Sequence, residues 1–147
     1  MNNNCYQNLI MDENEHYAYF TITGSFNPDE ITRRVGVEPT RCWSKGDPHP
    51  TTHFECKCSR WSLFSRLDSK EELEAHVCDV FIQLEQNSEA FQNLSQEFGA
   101  CMQLVGYFKT IYPGLHFERD MIEKLAKYSL EVDFDFYYLY SDRREDT

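Results

Sequence analysis

Cys42, His49, His53, Cys56 and Cys58 fall in one short, proline-containing stretch. Thiolate and imidazole are the ligands that a structural Zn²⁺ takes into a closed tetrahedral site, and more of them stand here than such a site needs. Their spacing departs from the usual zinc modules: only Lys57 separates Cys56 from Cys58, where fingers and ribbons leave about two to four residues. Two readings stand side by side. One is a zinc-binding protein or small metal-dependent enzyme built on this stretch; the other is a loop of reduced thiols and solvated imidazoles.

Asp133 and Asp135 form a second constellation. Two positions apart on a strand, their Cα atoms lie about 6.6 Å from each other on one face. Carboxylates at such a distance can divide acid and base roles or grip a divalent cation, and alternating Asp is also an ordinary solvent face. No His, nucleophile or Gly-rich phosphate loop stands beside them in sequence, so no catalytic residue is assigned. The third group is Trp43, Ser44, Lys45, Gly46 and Asp47. It reads as a turn in which Gly46 bends the chain, Lys45 pairs with Asp47 and Trp43 covers a core edge. The same residues suit a contact patch, so Trp43, Lys45 and Asp47, with Asp133 and Asp135, are the candidate partner-binding residues. His76 falls near the apolar stripe of a helix, where a packed neutral imidazole is expected.

The elements that must position these groups follow from periodicity. Tyr17 to Gly24 alternates, with Ala18, Phe20 and Ile22 on one face and Tyr17, Tyr19, Thr21 and Thr23 on the other, which predicts a half-buried strand. Asn27 is placed to cap a short helix with Pro28 at its first position, and Gly36 and Pro39 stop it. Trp61 to Arg66 predicts a second strand. Ser69 and Glu72 form a capping box for a helix over 70–86, and Asn87 or Ser88 caps a shorter one carrying Phe91, Leu94 and Phe98, with Gly99 as its terminator. An apolar run from Cys101 to Lys109, turned at Tyr112-Pro113-Gly114, is expected to pair with Leu115 to Phe117 as a hairpin. A helix over 118–128 with Ile122, Leu125 and Ala126 inward precedes a last strand. On that strand Val132, Phe134, Phe136, Tyr138 and Tyr140 oppose Glu131, Asp133 and Asp135.

Gly24, the helix start Asn27-Pro28-Asp29-Glu30-Ile31-Thr32, Gly36-Val37-Glu38-Pro39-Thr40 and Lys45-Gly46-Asp47, in that order and spacing, resemble the bacterial Domain of Unknown Function 4279 family. Trp61 at a strand start, Leu125-Ala126 on a helix and the Asp-rich aromatic strand from Asp133 to Tyr137 extend the resemblance over roughly Tyr17 to Tyr140. It implies an α+β fold and brings no established chemistry, so no catalytic residues carry over. The Cys and His residues after Asp47 depart from the family pattern.

An α+β fold is expected on the residues too: a mixed or antiparallel sheet with helices packed on one face, since the strands are too polar on one side to be buried twice. A ferredoxin-like form fits, and the recurrence of aromatic strand, Pro-containing turn and acid-started helix from Cys101 onward suggests a two-unit pseudo-repeat. The chain of 147 residues reads as one domain with frayed ends over 1–15 and 142–147. Its 14 Lys+Arg stand against 25 Asp+Glu, a formal charge of -11, which disfavours nucleic acid and anionic membranes and favours basic partners. No export signal or membrane span is visible and the six Cys read as reduced, so a cytoplasmic location is expected. These bounds favour a non-catalytic protein-binding module, with an immunity protein neutralising a basic toxin as its sharpest form.

Overall fold

The computed structural model describes residues 13–111 and 114–139. Ala18, Phe20 and Ile22 on strand β1 (Glu15–Gly24) are fully buried, as their alternation requires. The turn that follows is fixed by short-range chemistry. Asn27 Oδ1 accepts the Asp29 N–H at 3.0 Å, Pro28 opens helix α1 (Pro28–Val35), and Gly36 closes it at φ 69, a left-handed conformation that a side chain disfavours. A three-residue strand β2 (Arg41–Trp43) leads through a long hairpin to β3 (Ser59–Phe64). Helix α2 (Leu73–Leu84) runs through a 3-10 turn, Glu85–Asn87, into α3 (Ser88–Glu97). Strand β4 (Gly99–Phe108), helix α4 (Arg119–Lys127) and strand β5 (Glu131–Tyr138) follow.

The sheet order is β2-β3-β1-β4-β5, with β1 antiparallel to β3 and β4, β2 antiparallel to β3, and β5 parallel to β4. The first four strands reproduce the ferredoxin-like split βαβ, in which β3 lies between β1 and β2. The fold is α+β with a mixed sheet, as expected from the sequence. Of the proposed pseudo-repeat only the element order recurs. The first βαβ unit admits β3 between its strands, whereas β4-α4-β5 closes with its strands directly paired.

The four helices of the described residues share a single core with one face of the sheet. Ile31 and Val35 of α1, Val77, Val80 and Phe81 of α2, Phe91 and Leu94 of α3, and Met121 and Leu125 of α4 pack there with Phe20, Trp61, Met102 and Leu104. Phe20, Trp61 and Phe91 meet tilted or edge-on, their centroids 5.5 to 6.3 Å apart, and each such burial stabilises by about 1.5–3 kcal/mol. Trp61 Nε1 donates to Thr32 Oγ1 at 3.1 Å, tying α1 to β3.

Several local expectations change. The expected Ser69–Glu72 capping box does not form: the Asp68 carboxylate accepts the Lys70 N–H at 2.9 Å in the turn before α2, and the helix starts at Leu73 with Glu72 in the cap position and no side-chain bond. No strand forms over 115–117 among the described residues, because both edges of β4 are taken by β1 and β5; Tyr112 and Pro113 lie outside those residues. On α4 Ile122 is 51% exposed and Ala126 is also exposed, and the buried positions are Met121, Leu125 and the following Tyr128. Gly99 is the first residue of β4 and not a helix terminator, since Phe98 is already extended. Of the expected frayed ends, 13–15 are held: Asn14 Oδ1 accepts the Lys109 N–H at 2.7 Å and Glu13 pairs with Lys70 at 3.2 Å. The stretch 142–147 and Tyr140 lie outside the described residues.

Candidate functional site on the open sheet face

The period of two that buries Phe20 turns its neighbours to a second face of the sheet, which no helix covers among the described residues. At its centre Tyr19 and Phe64 stack with centroids 4.3 Å apart, and Tyr17 lies against Phe64 at 5.7 Å. Thr21 and Ser62 join hydroxyl to hydroxyl at 2.8 Å. Tyr107 on β4 stacks on Tyr137 of β5 at 5.0 Å. Burial, followed by the Tyr107 hydroxyl, pushes the Tyr17 phenol up to about 12, so that ring stays uncharged well above neutrality.

Charge divides the face into two ends. At the β2–β3 end the Arg41 guanidinium lies 5.3 Å over Phe64 and that of Arg60 lies 5.5 Å over Trp43. At the other end, β5 presents Glu131, Asp133 and Asp135. Burial and then the hydrogen bond to the Asp133 carboxylate push the Cys101 thiol up to about 12. Asp135 accepts the Tyr137 hydroxyl at 3.1 Å. Strand β5 is also the edge of the sheet, bonded to β4 on one side and to no strand on the other among the described residues. Phe134, Tyr138 and Leu139 are more than half exposed there, at 54%, 62% and 59%.

The hairpin over 44–58 folds onto the cationic end. Gly46 N–H donates to the Cys56 carbonyl and Cys56 N–H to that of Asp47, both at 2.8 Å. Lys45 N–H donates at 3.0 Å to Ser59 Oγ, which donates at 2.7 Å to the Phe26 carbonyl. Lys45 and Asp47 do not pair as expected: the Asp47 carboxylate accepts the Ser44 N–H at 2.9 Å and closes the turn itself. Trp43 is half-buried, with the His49 ring edge-on at 5.3 Å.

The five expected metal ligands do not come together as one set: the sheet separates Cys42 from the other four. His49, Cys56 and Cys58 line a concavity on the open face. Cys42 pairs in register with Trp61 and therefore points to the opposite face, where it lines a different cavity with Asn27, Asp29 and Glu38. His53, exposed, sits at the hairpin tip with φ 61. His49 Nδ1 accepts the N–H groups of Thr51 and Thr52 at 3.2 and 3.3 Å, which commits that nitrogen to the turn. Among the described residues no three His, Cys, Asp or Glu side chains form a metal-ligating group. Their crowding in sequence is thus not crowding in space, because adjacent strand positions face opposite ways.

Of the candidate partner residues, Trp43, Asp133 and Asp135 share the open face, Trp43 at its cationic end and the aspartates at the other. Sequence reasoning passed over Arg41, Arg60 and Phe64. The signal available was the polar half of the β1 alternation, which marks a face but does not say which loop covers it.

A family model described as a domain of unknown function (DUF4279) matches residues 14–139. No curated protein and no solved structure matches the chain. The match takes in every strand and helix described above, and the chain belongs to the DUF4279 family.

Proposed function

We propose that this protein is a non-catalytic cytoplasmic binding module that takes an extended, basic segment of a partner protein along the β5 edge. The observation that carries this reading is the composition of that edge. Among the described residues β5 has a strand neighbour on one side only, and along it Glu131, Asp133 and Asp135 on one face alternate with Phe134 and Tyr138, both more than half exposed, on the other. An added strand gains main-chain hydrogen bonds from such an edge, and Lys or Arg at alternate positions meets Glu131, Asp133 and Asp135 across the pairing. The net charge of -11 steers a cationic partner toward the molecule. Acidity also extends beyond β5, to a concavity of about 440 Å³ lined by Glu72, Glu74, Glu118 and Asp120. Neutralisation of a basic toxin is the form of this function that the charge and size favour.

The test is capture of partners from the protein's own cells with washes at rising salt, comparing wild type with Asp133→Asn/Asp135→Asn. The expected result is a basic protein held at low salt, released as salt rises and missing from the variant. Equal retention by both proteins would refute the role given to β5. Zinc in the hairpin is the second reading; His49, Cys56 and Cys58 line one concavity, although among the described residues they do not form a ligating group as they stand. Near-stoichiometric zinc in purified protein would support it, and metal-free protein of full thermal stability would exclude it.

A further inference from the structure

The cationic end of the open face has a chemistry of its own. In a chain with 25 Asp+Glu and 14 Lys+Arg, three cations, Arg41, Lys57 and Arg60, line one concavity of about 370 Å³ that no carboxylate enters. Among the described residues none of the three forms an ion pair, although Arg34, Arg66, Lys70 and Lys124 all do. Unpaired cations grouped around a hollow keep their charge available for a ligand.

The geometry of the two arginines narrows the class. Each guanidinium lies over an aromatic ring, Arg41 over Phe64 and Arg60 over Trp43. A guanidinium stacked in this way is held in place by its face while its N–H edge stays free to grip a carboxylate or phosphate with two bonds. The Arg60 Nε is shielded from solvent without an acceptor, so the groups of this arginine open to a ligand are its terminal N–H groups. Beside these donors stand flat apolar walls, Tyr19 and Trp43, with the His49 ring edge-on to the indole. The volume falls in the usual range of small-molecule sites. The hairpin that roofs the hollow is bonded to itself and to Ser59, so the site is formed before any ligand arrives.

We infer that the concavity bounded by Tyr19, Arg41, Trp43, His49, Lys57 and Arg60 binds a small aromatic anion, its ring against Trp43 and Tyr19 and its carboxylate or phosphate on the arginines. This assignment is independent of the β5 edge, which lies across the sheet.

Calorimetric titration tests it with indole-3-acetate and adenosine 5′-monophosphate as ringed anions, and acetate and inorganic phosphate as their ring-free counterparts. At least one ringed anion is expected to bind with Kd below about 1 mM, its ring-free counterpart at least about tenfold more weakly. Arg60→Gln should weaken binding at least about tenfold, the loss of a charge-assisted pair, without changing the circular dichroism spectrum. If Arg60→Gln fails to fold, Arg41→Gln is expected to show the same loss and decides the matter. Absence of saturable binding by both ringed anions overturns the assignment, as does binding that neither substitution weakens. Equal affinity for ringed and ring-free anions overturns the aromatic part and leaves a bare anion site.

Discussion

His76 is fully buried, and its Nδ1 lies 2.6 Å from Ser65 Oγ. Burial, helped by the neighbouring His16, holds its pKa below the ordinary value of 6.5, against smaller opposing effects of Asp68, Asp79 and Glu71. The folded state therefore favours the neutral imidazole. Its contribution is complete above pH 6.5 and is lost as the pH falls from there toward the depressed folded value. Thermal melts should show a decline in Tm below pH 6.5 that flattens in His76→Gln. At Cys101 the sign is opposite. Its thiol is raised from 9.0 to about 12, by burial and then by the Asp133 carboxylate, so the fold favours the protonated form and this contribution fades as the pH climbs past 9.0. Alkylation of Cys101 by iodoacetamide near neutral pH should be slow, and faster in Asp133→Asn, which removes the carboxylate that holds the proton. Equal rates in the two proteins would show that Asp133 does not control the thiol. His76 was readable as a packed imidazole from its place on an apolar stripe. The Cys101–Asp133 contact was not, because it joins two strands whose pairing depends on the whole sheet.

Elements with strong periodicity or capping chemistry were readable: β1, α1, α2 and β5 stand close to where their patterns put them. Strand β2 was missed because three residues cannot display an alternation, and it exists only through its pairing with β3. Helix α4 was found but turned by one position, since Met121 and Ile122 are both apolar and only the packed sheet chooses between them. The buried Met121 makes Met121→Ala worth about 2–4 kcal/mol of stability by denaturant unfolding. Ile122→Ala should stay within about 0.5 kcal/mol, and a reversed order would place the wrong face of α4 on the core. In β4, a Cβ on Gly106 would come within 2.5 Å of the fully buried Phe108 ring. Gly106→Ala is thus expected to cost about 1–3 kcal/mol, read in the same unfolding assay, whereas an unchanged midpoint would mean that the β4–β5 region repacks freely.

Across the whole molecule, one face of the sheet makes the core and the other makes a surface with cations at one end, aromatics along the middle and carboxylates on the β5 edge. The α+β class, the one-sided helices and the acidic last strand could be read from the sequence because each is a local pattern. The hairpin resting on the cationic end could not, since its position depends on Ser59 bonding both Lys45 and the distant Phe26 and on Cys56 pairing with Asp47, and strand alternation turns Cys42 away from the other thiols. No helix among the described residues is long and apolar enough to cross a membrane. The most direct test of the binding role is amide hydrogen exchange of the protein alone and with its captured partner, read along β5. An added strand should slow exchange at alternate β5 amides, those whose N–H points away from β4. Unchanged exchange throughout β5, with protection elsewhere on the surface, would contradict it.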